Sequence, residues 1–205
     1  MKIATRSMLG AAMTTVALTA SLMTGAGAAL ADTTVGWEPD ANALGSVSFY
    51  DADGNQVTGG SLGDHPLAWY SVASGDGRTG DTKAQLRVYT PQAGVDPGAW
   101  SGDTITASTD YPNAAAPAAI AGLTVPVASG AVDDFSLADY ISELPNTSTT
   151  AGYQDLYELR LYTSGPGQSP SAVYFRADVQ VAVTGTDSDG LPIGTWAVVY
   201  PTAGS

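Results

Sequence analysis

The sequence predicts an all-β fold: two packed antiparallel sheets of the immunoglobulin-like sandwich type, with one short helix. Three observations lead there. Seven or so short segments alternate apolar and polar residues, the stretches between them are rich in Gly, Asp and Pro, and only one segment has helical spacing. A jelly roll is the alternative, since it also stacks two antiparallel sheets. With no Cys in the chain, the Cys-Trp-Cys pin of antibody domains is absent, so only the broad architecture is implied.

Residues 32–45 are polar and mixed and are expected to form an N-terminal arm; the domain itself is expected over 46–201, with a short tail at 202–205. Val47 and Phe49 alternate with Ser46, Ser48 and Tyr50. The run Asp51-Ala52-Asp53-Gly54-Asn55 then intervenes before Gln56-Val57-Thr58. This predicts a hairpin, because Gly54 can take the positive φ that a tight turn needs. Leu67–Ala73 and Gln85–Thr90 are the next strands, separated by a Gly-rich loop over 74–81. Thr104–Ala107 is a brief strand, 111–117 a Pro- and Ala-rich crossing, and Leu123–Val127 an edge segment because Pro126 removes a ladder donor. Phe135–Glu143 is the predicted helix: Phe135, Leu137, Ala138 and Ile141 share a side, Ser136 or an Asp caps it, and Pro145 ends it. In 155–163, Tyr157, Leu159 and Leu161 oppose Leu156, Glu158, Arg160 and Tyr162. In 172–184, Val173, Phe175, Ala177, Val179, Val181 and Val183 share one face while Tyr174, Arg176, Asp178 and Gln180 take the other. Asp187-Ser188-Asp189-Gly190 turns the chain into a last strand, Thr195–Tyr200, and repeats the D-x-D-G pattern of the first hairpin.

Residues 1–31 have the plan of a secretory signal peptide. Lys2 and Arg6 precede an apolar stretch from Met8 to Met23, and Ala29-Leu30-Ala31 is a small-x-small cleavage site. Gly10, Thr14, Thr15, Thr19 and Ser21 interrupt that stretch, so it falls short of the roughly 20 apolar residues of a membrane span. Cleavage after Ala31 is expected to leave a secreted protein with no membrane insertion. Lys2 and Arg6 are not adjacent, which favours the general export route over the twin-arginine one, and no Cys is present to carry a lipid. The 174 residues after Ala31 suit one domain. They hold five basic and twenty acidic residues, a formal charge of −15, which disfavours nucleic acid and anionic lipid as partners.

Candidate chemistry is sparse. Asp51, Asp53 and Asn55 place oxygen side chains at alternate positions, as calcium loops do, although Gln56 and Leu62 stand where a full loop would have Gly and a bidentate carboxylate. Calcium is the cation considered; no cofactor is required by the sequence. Asp187 and Asp189 form a second, weaker candidate. Asp133, Asp134, Asp139 and Glu143 cluster at the helix, where paired carboxylates would suit glycoside hydrolysis but equally suit the helix dipole. His65 is the only histidine, and no G-x-S-x-G elbow accompanies it, so a nucleophile-histidine-acid triad has little to build on. Trp100, in the loop Pro97-Gly98-Ala99-Trp100-Ser101-Gly102, is the best candidate for a flat ligand-binding platform. Trp69 and Trp196 are placed in strands as core residues.

The stretches Gly45 to Thr58 and Gly185 to Pro201 resemble the N-terminal modules of secreted actinobacterial proteins that carry bacterial Ig-like domains. The resemblance implies an extracellular or wall-attached β-sandwich of a Gram-positive bacterium. The first hairpin is also similar to collagen-adhesin B-type domains, some of which form a Lys-Asn isopeptide bond. Here the first strand has no Lys and Lys83 lies far downstream, so that crosslink is not expected. The sequence thus leads to a secreted, non-catalytic module, a spacer or an adhesion-type binder of an extracellular glycan or protein. A carbohydrate-binding module resting on Trp100 is the first alternative and a secreted hydrolase using Asp133, Asp134 and His65 the second.

Overall fold

The computed structural model describes residues 35–201; the leader 1–31 with its cleavage residues Ala29 and Ala31, and the tail 202–205, lie outside the described residues. In chain order the elements are β1 (Ala43–Tyr50), β2 (Gln56–Val57), β3 (Gly59–Ser61), β4 (Tyr70–Ala73), β5 (Lys83–Tyr89), β6 (Gly102–Thr104), β7 (Thr109–Asp110), the one-turn helix α1 (Ala118–Ala121), β8 (Val127–Ser129), α2 (Leu137–Glu143), β9 (Leu156–Ser164), β10 (Tyr174–Thr186) and β11 (Pro192–Tyr200). No helix among the described residues is long and apolar enough to cross a membrane.

Strands dominate, as the alternation predicts, but they join in one mixed sheet whose path runs β6-β5-β9-β10-β1-β4-β8. Off this path β7 joins β5, β11 joins β10, β3 joins β11 and β2 joins β1. The first strand is shared between two partners. Ala43 to Ser46 runs parallel to β10, Ala43 opposite Tyr174 and Ser46 opposite Arg176, and Val47 to Tyr50 runs antiparallel to β4. Purely antiparallel pairing was expected; a period of two is the same in either direction, so alternation does not report strand polarity. Gly45 stands where the partner changes. A Cβ there would collide with Ser74 Oγ and press on the Phe175 ring, and that hydroxyl instead accepts from the Ser46 N–H at 2.9 Å.

One face of the sheet builds the main core. Leu86 and Val88 of β5, Leu159 and Leu161 of β9, and Phe175, Ala177 and Val179 of β10 meet Val47 and Phe49 of β1, Val72 of β4, Val127 of β8 and Leu137, Tyr140 and Ile141 of α2. Fully burying a large aliphatic or Phe side chain is worth about 1.5–3 kcal/mol, so this face supplies much of the driving force. Helix α2 forms where its spacing predicts. Ser136 Oγ accepts from Asp139 N–H at 3.1 Å, Asp139 Oδ2 accepts from Ser136 N–H at 3.0 Å, and the helix ends at Leu144, just before Pro145. Trp196 is in the core as expected, edge-on to Phe49 with centroids 5.6 Å apart.

The opposite face is covered too. Tyr174, Arg176, Asp178, Glu158 and Arg160, set opposite the apolar rows by alternation, are buried as well. Their cover comes from Val35 and Trp37 of the expected arm, together with Trp100 and Leu156. Trp37 meets Trp100 edge-to-face at 5.2 Å and Tyr153 at 5.4 Å, and its indole N–H donates to Glu158 Oε2 at 2.9 Å. Arg176 donates to Glu158 at 3.2 Å and to Asp178 at 2.9 Å, and pairs with Glu38; Arg160 pairs with Glu158. The Arg160 guanidinium carbon lies 4.0 Å from the Tyr89 ring centre and 4.3 Å from that of Tyr174, so its planes are covered by aromatic faces. Burial pushes the Glu158 and Asp178 carboxyls up, and their arginines only partly offset it. For Arg160 burial opposes the charge, but the Glu158 carboxylate prevails and holds the guanidinium above its ordinary value.

Buried phenols add an alkaline limit. Burial pushes Tyr140 up to about 12 and raises Tyr111, Tyr157, Tyr162 and Tyr174 as well. Above the ordinary tyrosine value the unfolded chain releases these protons while the folded chain keeps them. Unfolding free energy therefore falls from about pH 10 upward. The expected result is that phenolate absorbance in this range rises together with loss of the circular-dichroism signal. Full titration of every Tyr below the unfolding transition would contradict it.

Candidate functional site

The loop from Leu62 to Trp69 connects β3 to β4, and it positions the only histidine. Leu62 is buried, and its carbonyl accepts from Ala138 N–H at 2.8 Å, fixing the loop to the first turn of α2. Ahead of α2 the chain turns tightly: Asp134 N–H donates to Ala131 O at 3.1 Å and Asp134 Oδ2 accepts from Ala131 N–H at 2.7 Å. That turn presents the Asp134 carbonyl to His65, whose Nδ1 lies 2.8 Å from it, while Nε2 lies 3.9 Å from Asp139 Oδ2. Burial is the main cause that raises the Asp134 carboxyl, with backbone donors opposing.

Two clefts adjoin at His65. One, of about 500 Å³, is lined by His65, Val132, Asp133, Asp134, Phe135 and Asp139. The other, of about 260 Å³, has Tyr50 and Trp69 in its walls, with Asp51, Asp64 and His65 among its polar groups. The fold thus brings Asp51 and His65 from one part of the chain, and Asp133, Asp134 and Asp139 from another, around one short stretch of surface.

Most of these carboxylates are engaged by their own backbone. Asp64 Oδ2 accepts from Ser61 N–H at 2.8 Å and Asp139 Oδ2 from Ser136 N–H. Ser136 Oγ is 2.6 Å from the same Asp139 oxygen and donates to it, and the residue is buried. The serine therefore serves the acid, and its hydroxyl is not directed to His65. A nucleophile activated by histidine would need that second contact.

Asp51 is committed in the same way. Its Oδ1 accepts from Asp53 N–H at 3.0 Å and Asn55 N–H at 2.8 Å, and the Asn55 side-chain amide donates to Oδ2 at 3.0 Å. The second D-x-D-G turn repeats the pattern, with Asp187 Oδ1 accepting from Asp189 N–H at 2.9 Å and Leu191 N–H at 2.8 Å. Gly54 and Gly190 supply φ of 83° and 86° at equivalent positions. In the first turn the Asn55 side-chain NH2 donates to the Asp51 carboxylate, so these two side chains brace the turn. Hydrogen bonds from Asn55 hold the Asp51 carboxyl below the usual range. The turn's stabilisation from Asp51 is accordingly present above the ordinary carboxylate pKa and lost as pH falls through its lowered value. Asp51→Ala is expected to lower the melting temperature, and calcium and chelator are expected to give the same curve for the parent protein. A calcium-dependent rise that vanishes in Asp51→Asn/Asp53→Asn would establish the metal reading.

Trp100 is not a platform. It is 5 % exposed, its N–H donates to Val95 O at 3.1 Å, and its ring is taken by Trp37. Trp69, expected in the core, is half-buried just before β4 and lines the smaller cleft. Loop membership suggested exposure for Trp100, but the buried network beneath it needed a cover. Leu67 and Ala68 did make Trp69 look like part of a buried strand. Lys83 forms a surface pair with Asp110 across the sheet at 2.8 Å. Glu143 lies at the far end of α2, away from the clefts' lining. No family model, curated protein or solved structure matches this chain.

Proposed function

We propose that the mature chain is a secreted, non-catalytic β-module that acts outside the cell as a spacer or adhesion-type binder, with the surface around His65 as its contact region. The observation that carries this reading is the state of the carboxylates there. Those of Asp51, Asp64, Asp134 and Asp139 each accept backbone N–H bonds and hold loops in place, and Ser136 is tied to Asp139. Groups so engaged favour a fixed, shaped surface over proton transfer, which needs an acid or base free to exchange its proton. Export is supported by the leader-like sequence of residues 1–31. The sandwich form of the fold is supported by the change of partner along β1, which lets Val47, Phe49, Val72 and Val127 share a core with Leu86, Leu159 and Phe175.

The test is affinity profiling of residues 32–205 against extracellular glycans, matrix proteins and peptidoglycan, with product analysis on every retained material. Retention without chemical change is the expected result. Turnover of a polysaccharide or peptide, abolished by Asp134→Ala or His65→Ala, would replace the module reading by the hydrolase.

A further inference from the structure

We infer that the smaller cleft, between Tyr50 and Trp69, is a subsite for a single neutral sugar ring, an assignment that rests on the binding-module reading and gives its ligand a chemical class. At about 260 Å³ the cleft has room for one small ring. Apolar walls with a few polar groups are the general form of a small-ligand site. Here the walls include Leu67 and the half-buried Tyr50 and Trp69. Aromatic side chains present apolar faces together with a polar handle, which suits the C–H face and hydroxyl rim of a pyranose.

The polar set offers a sugar both donors and acceptors. The Tyr50 hydroxyl can donate and accept, the Trp69 indole can donate, and the Asp64 carboxylate, whose Oδ2 already accepts from Ser61 N–H, can accept through Oδ1. Hydroxyl groups can match all three, whereas an ammonium only donates and would leave the indole N–H unanswered. The Trp196 indole N–H is buried and has no hydrogen-bond partner, and it lies 3.0 Å from the point where a Gly60 side chain would begin, a point 2.7 Å from Asp64 Oδ2. Gly60, with no side chain, thereby leaves room for the Asp64 carboxylate that lines the cleft.

The experiment titrates the mature protein with methyl glycosides of glucose, galactose, mannose and N-acetylglucosamine, followed by NMR of the Trp indole and His65 ring signals. Tetramethylammonium and a lysine-rich peptide serve as cationic probes. The expected result is a saturable shift of the Trp69 signal by at least one glycoside. Trp69→Ala should then weaken binding about tenfold and Asp64→Ala several-fold, with Asp189→Ala, at the equivalent turn away from the cleft, unchanged. The assignment is overturned if no glycoside gives a saturable shift, if Trp69→Ala and Asp64→Ala bind as the parent does, or if only the cationic probes bind. Retention on a matrix protein without glycoside binding would end the sugar assignment and leave the module reading standing. Cleavage of a glycosidic bond would end the module reading itself.

Discussion

Arg176→Met is expected to lower the unfolding free energy by about 3–5 kcal/mol, the cost of removing one partner from a buried charge network. The substitution keeps the length and apolar stem of the side chain, so the loss falls on Glu158 and Asp178, both fully buried, which Arg176 joins across β9 and β10. Burial already pushes these two carboxyls up. The unfolded chain releases their protons at the ordinary carboxylate pKa, whereas the folded chain holds them to higher pH, so the unfolding free energy declines as pH rises through that window. Removing Arg176 extends the window upward. The deficit of the variant should therefore be greatest near neutral pH and shrink toward about pH 4, where protonation removes the unpaired charges. Urea unfolding across this range measures it, and a deficit independent of pH would show that Arg176 acts through packing alone. Arg176→Met/Asp178→Leu should recover part of the loss, since one orphaned charge is then gone and Glu158 keeps Arg160.

Trp37→Ala is the second large effect, about 3–5 kcal/mol by the usual cost of emptying a buried aromatic site. It removes the edge contact with Trp100, the contact with Tyr153 and the N–H donated to Glu158. Trp37→Phe keeps a ring at the site and loses the donor, for a smaller cost of roughly 1–3 kcal/mol from the unsatisfied carboxylate. Thermal and urea unfolding of the two variants would separate packing from hydrogen bonding. If residues 32–45 behaved as the loose arm their composition suggests, neither substitution would change the transition.

The elements that were legible in the sequence are those whose signal is local. Gly54 and Gly190 announce both hairpins because positive φ is a property of single residues. Ser136 and Pro145 bracket α2 because caps and breakers act within a turn. Leu159, Leu161, Phe175, Ala177 and Val179 announce the core because a strand alternates its faces. Strand β3 left no trace, since Gly59-Gly60-Ser61 has no apolar pattern and pairs only through the backbone of Thr195 to Ala197. Strand β7 is two residues long and α1 a single turn, both too short to show periodicity.

The candidate site was less legible than the fold. Its acidic members and His65 stood out by residue type, but their meeting depends on the docking of α2 onto Leu62, a contact between backbone groups 76 positions apart in numbering. The exchange of roles between Trp69 and Trp100 has the same origin. A tryptophan's exposure is set by what lies over it, and local sequence does not carry that information.

By itself the sequence determined the β-rich class, the two D-x-D-G turns, the capped helix and the core face of the long strands, because each follows from backbone preference or from side-chain period within a few residues. Only the tertiary structure decided that β1 runs parallel to β10 and that Glu158, Arg160, Arg176 and Asp178 lie under Trp37 and Trp100. It also decided that Tyr50, Trp69 and Asp64 line one cleft. Charge alone does not place a residue in water: a buried carboxylate and guanidinium are tolerated once they find each other, and that pairing exists only across strands brought together by folding.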